Sequence, residues 1–321
     1  MFFLTNFFYL YGYNNNMKKV ILITIILIIL PFVIVQIFNQ VEEKETHFEK
    51  NQIVRVKREK KNVIEKIPLE NYVMGVLSGE MPTTFPMEAL KAQAVAARTY
   101  VLRKIEYAKN QEYDVVDTVA NQVYYSNDEL KERWKTEYNE KINLIQKAVL
   151  ETKGEYLTYQ GQIVNAFFFS TSTGYTENCE EVFQENLPYL RSVKSDWEKD
   201  ISPVFEDSKT FTIQEFYEKL NLDSNSNFSI QVTKTTSTGR VKEIQINGKL
   251  FLASDVTKAL GLRSSFFEIT KNDNQIIVHT KGFGHGVGMS QYGAYGMAKN
   301  GSNYQEILKY YYQGVDIKKI E

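Results

Sequence analysis

The sequence predicts an α+β fold: a single N-terminal transmembrane helix, then a mixed α/β extracytoplasmic region with a central Ala-rich helix and antiparallel sheets and hairpins. Three observations predict it. A long apolar run follows two lysines near the start, and one long helical pattern is rich in alanine. Beyond residue 200, short strand-like runs alternate with short capped helices, which suits α+β better than a wound parallel sheet.

The apolar run comes first. Val20 to Val35, extended by Ile37 and Phe38, is interrupted by Thr24, Pro31 and Gln36 alone. At 1.5 Å per residue, roughly 20 residues cross a hydrocarbon core of about 30 Å. The run exceeds the apolar stretch of a cleaved leader, and no small-x-small step precedes "NQVEEKE". The reading is an uncleaved anchor over 18–39. Lys18 and Lys19 then hold the N-terminus in the cytoplasm, and the chain beyond about residue 40 lies outside, as a single-pass protein of the cell membrane. Residues 1–17 form a short cytoplasmic start, and "MFFLTNFFYLYGYNNN" reads as an upstream start ahead of Met17.

Residues 40–62 read as a juxtamembrane linker and first strand. Ile53, Val54, Val56 and Val63 begin a strand pair, while Arg55, Lys57, Arg58, Lys60 and Lys61 form a basic cluster, read as a solvated face, with attraction to anionic wall polymer the lesser reading. The main region is 63–321, with 201–280 a smaller α+β subdomain. A central helix spans about Pro86 to Lys109, with Pro86 at its first position and Thr83 or Thr84 to cap it; five alanines keep it thin. An amphipathic helix covers about 127–151, and Gln160-Gly161 joins two strand runs in a tight hairpin. "FTIQEFYEKL" and "SDVTKALG" are short helices, the second stopped by Gly261. "FSIQVTK", "RVKEIQI" and "NQIIVHT" are strands.

Composition narrows the function. Thirty-eight basic against 39 acidic residues leave no broad positive field for nucleic acid, and the lone Cys179 excludes a disulfide framework or a multi-cysteine metal site. Three stretches carry candidate chemistry. Glu80, in "SGEMP", is a lone acid just ahead of a helix: either a helix-end acid favoured by the macrodipole, or a general acid whose pKa is raised in an apolar pocket. "KGFGHGVGMSQYGAYG" fits neither a dinucleotide nor a phosphate loop; its glycines let the backbone approach something closely around His285. His285 is either a hydrogen-bonded turn residue or a substrate contact. "FFFSTSTGYTEN" is a hydroxyl-rich turn without a G-x-S-x-G nucleophile.

"SGEMP…EALKAQAVAARTY", "STSTGYTEN", "LPYLRSVKSDW" and "GHGVGMSQYGAYGMAKNG" together resemble the stage II sporulation protein D (SpoIID/LytB) family, in its order and over roughly residues 60–315. The resemblance implies a lytic transglycosylase that cleaves the β-1,4 bond between N-acetylmuramic acid and N-acetylglucosamine in peptide-stripped peptidoglycan during engulfment. It implies that Glu80 and Arg98 are catalytic and that Ser170, Thr171, Ser172, Lys194, His285, Ser290, Gln291 and Tyr295 line the glycan groove. It also implies a cell-wall amidase and other engulfment membrane proteins as partners. No cofactor is expected. Some relatives hold zinc in a D-T-x-H-C-Q-x-Y stretch; here "DTVANQVYY" places Ala120 and Asn121 at the ligand positions, so no zinc is expected. Thr173 and Tyr292 also depart from the residues common there, Gly and Trp. The alternative within the same group is a non-catalytic glycan-binding module that stimulates an amidase.

Overall fold

The structure is a computed structural model that describes residues 51–223 and 228–320. One expectation is corrected at once. Among the described residues no helix is long and apolar enough to cross a membrane. The longest, Met87–Tyr107, carries Glu88, Lys91, Arg98, Arg103, Lys104 and Glu106, whose desolvation forbids insertion in lipid. The run 18–39, where the sequence puts the spanning helix, lies outside the described residues.

Strands β1 (Ile53–Arg58) and β2 (Val63–Pro68) form an antiparallel hairpin in which alternation buries Val54, Val56 and Arg58. The basic cluster is not uniformly solvated: Arg58 is 2 % exposed and its guanidinium meets Asp117 (2.8 Å), Glu65 (3.0 Å) and Glu129 (2.5 Å). Three carboxylates make that burial tolerable. Helix α1 (Leu69–Glu80) follows without a gap, burying Leu69, Tyr72, Val73, Val76 and Leu77 on one stripe. Its last residue is Glu80, and extended Met81 ends it. Helix α2 (Met87–Tyr107) is the centre of the molecule, packed on α1 and buried along Ala89, Ala92, Ala94, Ala96 and Ala97. Pro86 precedes its first turn, and neither threonine supplies a side-chain cap.

Strand β3 (Val115–Val116) lies parallel to β1. The single helix expected over 127–151 is two: α3 (Asn127–Trp134), opened by a Ser126–Glu129 capping box, and α4 (Tyr138–Glu151). Lys135 takes φ +48 between them, with no glycine or proline to announce the break. Strands β4 (Glu155–Tyr159) and β5 (Gln162–Ile163) form the expected hairpin, with Gln160 and Gly161 both at positive φ.

Short elements then shape the site: β6 (Phe168–Phe169), β7 (Gly174–Tyr175), α5 (Cys179–Val182) and β8 (Lys194–Ser195), with β7 and β8 paired. A second core follows. Strand β9 (Glu206–Thr212), helix α6 (Ile213–Leu220), strands β10 (Ile230–Thr235), β11 (Val241–Ile246) and β12 (Lys249–Leu252), helix α7 (Ala253–Leu260), and strands β13 (Phe267–Lys271) and β14 (Gln275–Lys281) enclose Phe216, Ile244, Val256, Ile276 and Val278. Thr212 with Glu215 forms a capping box for α6, and left-handed Gly261 stops α7. The chain returns to the first core through β15 (Met289–Ser290), α8 (Gln291–Lys299), α9 (Tyr304–Tyr311) and β16 (Asp316–Lys319), which pairs with β4.

Candidate active site

Glu80 stands at the C-terminal end of α1, not ahead of a helix start. The macrodipole there disfavours a carboxylate, so helix-end stabilisation does not account for this acid. Its Oε1 accepts a hydrogen bond from Val123 N (2.8 Å), which belongs to the loop before α3. Two features bring that loop in. A Cβ on Gly79 would lie 2.7 Å from Val123 O, so only a glycine lets the loop lie so close. Buried Gln122 accepts from Tyr72 Oη (3.1 Å) and donates to Ala97 O (3.4 Å), pinning the loop to α1 and α2.

Burial raises the Glu80 pKa above the ordinary carboxyl value; the Val123 N–H and the Gln291 side chain oppose it. Gln291 is 7 % exposed and presents its amide to Glu80 without closing a full hydrogen bond, and its Nε2 has no partner. Among the described residues no second carboxylate figures in what perturbs Glu80. Phe85, five residues on, takes edge contacts with Tyr292 and Tyr295, each at 5.0 Å between ring centres. The segment after Glu80 is thereby seated on α8, whose first residue is Gln291.

Parallel pairing of β15 with β6 brings the glycine-rich loop against the hydroxyl-rich turn. Ser290 caps α8 through Gly293 N (3.3 Å) and donates to Ser170 O (3.3 Å). Thr171 exchanges backbone hydrogen bonds with Phe283, and its hydroxyl meets Ser202 (2.8 Å). Ser172 donates its hydroxyl to Ser195 O (2.6 Å). Thr171, Ser172 and Ser290 are fully buried and bonded within the protein, so they hold these segments together and do not face a ligand. Ser170 keeps partial exposure.

Three of the expected site residues are engaged with other partners. His285 sits among Phe167, Phe169 and Phe183, and its Nδ1 accepts from Val287 N (3.1 Å). Burial, then the Arg240 charge, pushes its pKa down to about 4, so the ring is neutral. Lys194 is exposed and pairs with Asp196 (2.8 Å). Arg98 is fully buried: its guanidinium forks onto Glu70 (2.6 and 3.1 Å) and donates to Glu155 O (3.1 Å). Glu70 lies in the first turn of α1, ten residues before Glu80 and roughly 15 Å away along the helix. Arg98 thus ties α1, α2 and β4 together.

One residue escapes a reading of the sequence. Glu198 is fully buried and gathers Ser172 N, Ser195 Oγ (2.6 Å) and Ser290, with burial raising its pKa. In "SDWEKD" it reads as one more surface charge; nothing local marks it. In the "DTVANQVYY" loop, Asn121 accepts from Val116 N (2.8 Å) and donates to Tyr100 Oη (3.1 Å). Beside Ala120, that side chain is already committed and does not fit a zinc ligand set.

The site is therefore one half-buried carboxyl at a helix end, held by the Val123 N–H and faced by the Gln291 amide. The family profile described as "Stage II sporulation protein" (SpoIID) matches residues 57–159. Stage II sporulation protein D of Bacillus subtilis is 47 % identical over 265 residues, 80 % of this chain and 76 % of that protein. Its namesake in Bacillus amyloliquefaciens is 44 % identical over 273 residues, covering 84 % and 79 %. A Bacillus subtilis protein named "Amidase enhancer" is 30 % identical over 299 residues, covering 76 % of this chain and 40 % of its own length. The chain belongs to the SpoIID family.

Proposed function

We propose that the chain is a lytic transglycosylase of peptidoglycan, cleaving the bond between N-acetylmuramic acid and N-acetylglucosamine with Glu80 as its one acid and base. The observation that carries this reading is the environment of Glu80: desolvated, at the wrong end of a helix for an anion, and faced by Gln291. Burial favours the protonated carboxyl, which gives its proton to the glycosidic oxygen as the C1–O4 bond breaks. A hydrolase needs a second carboxylate to serve water. In the proposed reaction the muramic 6-hydroxyl attacks C1 instead, and its proton passes to the Glu80 carboxylate. The acid is restored, no water is consumed, and the new end is a 1,6-anhydro sugar. Gln291 steadies Glu80 in its charged state between the two transfers.

The family name and the relatives' names support a setting in sporulation; engulfment, with peptide-stripped strands as the substrate state, is the finer expectation. Such a polymer lies outside the cytoplasm, and the catalytic region works there. A second reading has a specific support. One relative is named for enhancing an amidase, so a glycan-gripping module that stimulates such a partner is the alternative. Incubation with peptide-free strands separates them. Anhydro ends that vanish in Glu80→Gln support the enzyme; strand binding without new ends supports the module.

A further inference from the structure

A groove lies against the glycine-rich loop, at Gly284 and His285. This groove, of about 440 Å³, is bounded by the second core, with Arg240, Lys242 and Arg263 on its walls and Gly284 and His285 at its foot. Arg240 is its unusual member. It is 1 % exposed; its Nη1 donates to Gly284 O (2.8 Å) and its Nε lies 3.1 Å from the buried Glu177 carboxylate. Its Nη2 is buried and has no partner. That guanidinium is sealed in, its Nη2 close to Gly286, so it lends the groove positive charge and leaves direct contact to Lys242 and Arg263.

The surrounding charge agrees. Arg263 is only loosely paired, with Asp207 at 3.4 Å. The acid on the wall, Glu181, is already committed to Ser237 N (2.7 Å), Ser237 Oγ (2.6 Å) and Asn178 (3.0 Å). Among the described residues four aromatics stand exposed, Tyr107, Tyr175, Phe183 and Phe283, and two of them contact residues that line this groove. Phe183 lies 5.1 Å from the His285 ring, and Phe283 lies 5.9 Å from the Arg263 guanidinium. Flat apolar rings beside fixed donors suit a ligand that has both a sugar face and an acid. A bare phosphate would engage the cations and make no use of the rings.

We infer that this groove binds a carboxylate-bearing saccharide, the cations taking the carboxylate while Phe183 and Phe283 take the ring faces. The inference rests on the proposed function for its choice of sugar, the lactyl ether acid of muramic units. The loop that forms the groove's foot continues to Gln291, so a ligand held here steadies the segment that faces Glu80.

The test uses the full chain carrying Glu80→Gln, so that nothing is turned over. It is titrated with N-acetylmuramic acid and with N-acetylglucosamine, which lacks the lactyl carboxylate, while the His285 ring resonances report the groove. Muramic acid should bind at least about tenfold tighter, as one charge-assisted contact supplies. Arg263→Gln with Lys242→Gln should erase that preference, and Phe283→Ala should weaken both sugars. Equal affinity for the two sugars, a preference that survives the double variant, or inorganic phosphate binding more tightly than muramic acid overturns the inference. If the wild type cuts strands while the groove shows no preference, this inference fails and the enzyme stands. If the groove prefers muramic acid while the wild type cuts nothing, the groove stands and the enzyme fails.

Discussion

Arg98→Ala tests whether this arginine acts on substrate or on the scaffold. The substitution removes a fork onto Glu70 (2.6 and 3.1 Å) and a donor to Glu155 O (3.1 Å). Removing one partner of a buried pair costs about 3–5 kcal/mol. Glu70 is 23 % exposed and keeps the Gly154 N–H, so water can take over part of the loss. The expected cost is therefore about 3 kcal/mol, the low end of that range. Arg98→Lys keeps the charge and loses the planar fork, costing about half as much. Urea unfolding of Arg98→Ala, Glu70→Gln and the double variant should give a coupling of about 1–3 kcal/mol. Cleavage by the folded protein should fall less than tenfold, because Glu70 sits at the far end of α1 from Glu80. Unchanged stability with abolished cleavage in Arg98→Lys would refute this, and would return Arg98 to the direct role that the family resemblance implies.

Three further outcomes are expected. Gln291 holds the Glu80 pKa down, so Gln291→Leu raises it; an enzyme that must start protonated then keeps its kcat/KM to higher pH, visible as an upward move of the basic limb. Gly293→Ala should lose about 1–2 kcal/mol in thermal unfolding despite a better helix former, because the new Cβ would overlap the Tyr311 hydroxyl and fall 2.6 Å from Ser195 Oγ. His285 should show constant ring shifts by NMR from pH 8 to about 5; the unfolded chain takes its proton near 6.5 and the fold resists until about 4, so stability falls as pH drops through that window.

Much of the frame is legible in the sequence because it follows local rules. Alternating Val54 and Val56, the Gln160-Gly161 turn, the Thr212 cap and the Gly261 stop each declare an element within a few residues. Helix α1 does not declare itself: its apolar stripe is short, Gly75 and Gly79 lie within it, and Pro82 follows closely. Without that helix, Glu80 falls at a helix start and takes the wrong end of the dipole. Gln291 is named by resemblance, yet its approach to Glu80 depends on a fold-back of some 210 residues, and the Ser195–Glu198–Ser290 cluster also joins distant segments. The burial of charges such as Arg58, Arg98 and Glu198 carries no sequence mark, since their partners come from elsewhere in the chain.

The claim that the sugar supplies its own nucleophile is tested most directly by cleaving peptide-free strands in H₂¹⁸O and weighing the new ends. The account predicts 1,6-anhydro ends without ¹⁸O, made by the wild type and absent with Glu80→Gln. Reducing ends that carry ¹⁸O, or cutting that continues without the Glu80 carboxyl, would contradict it.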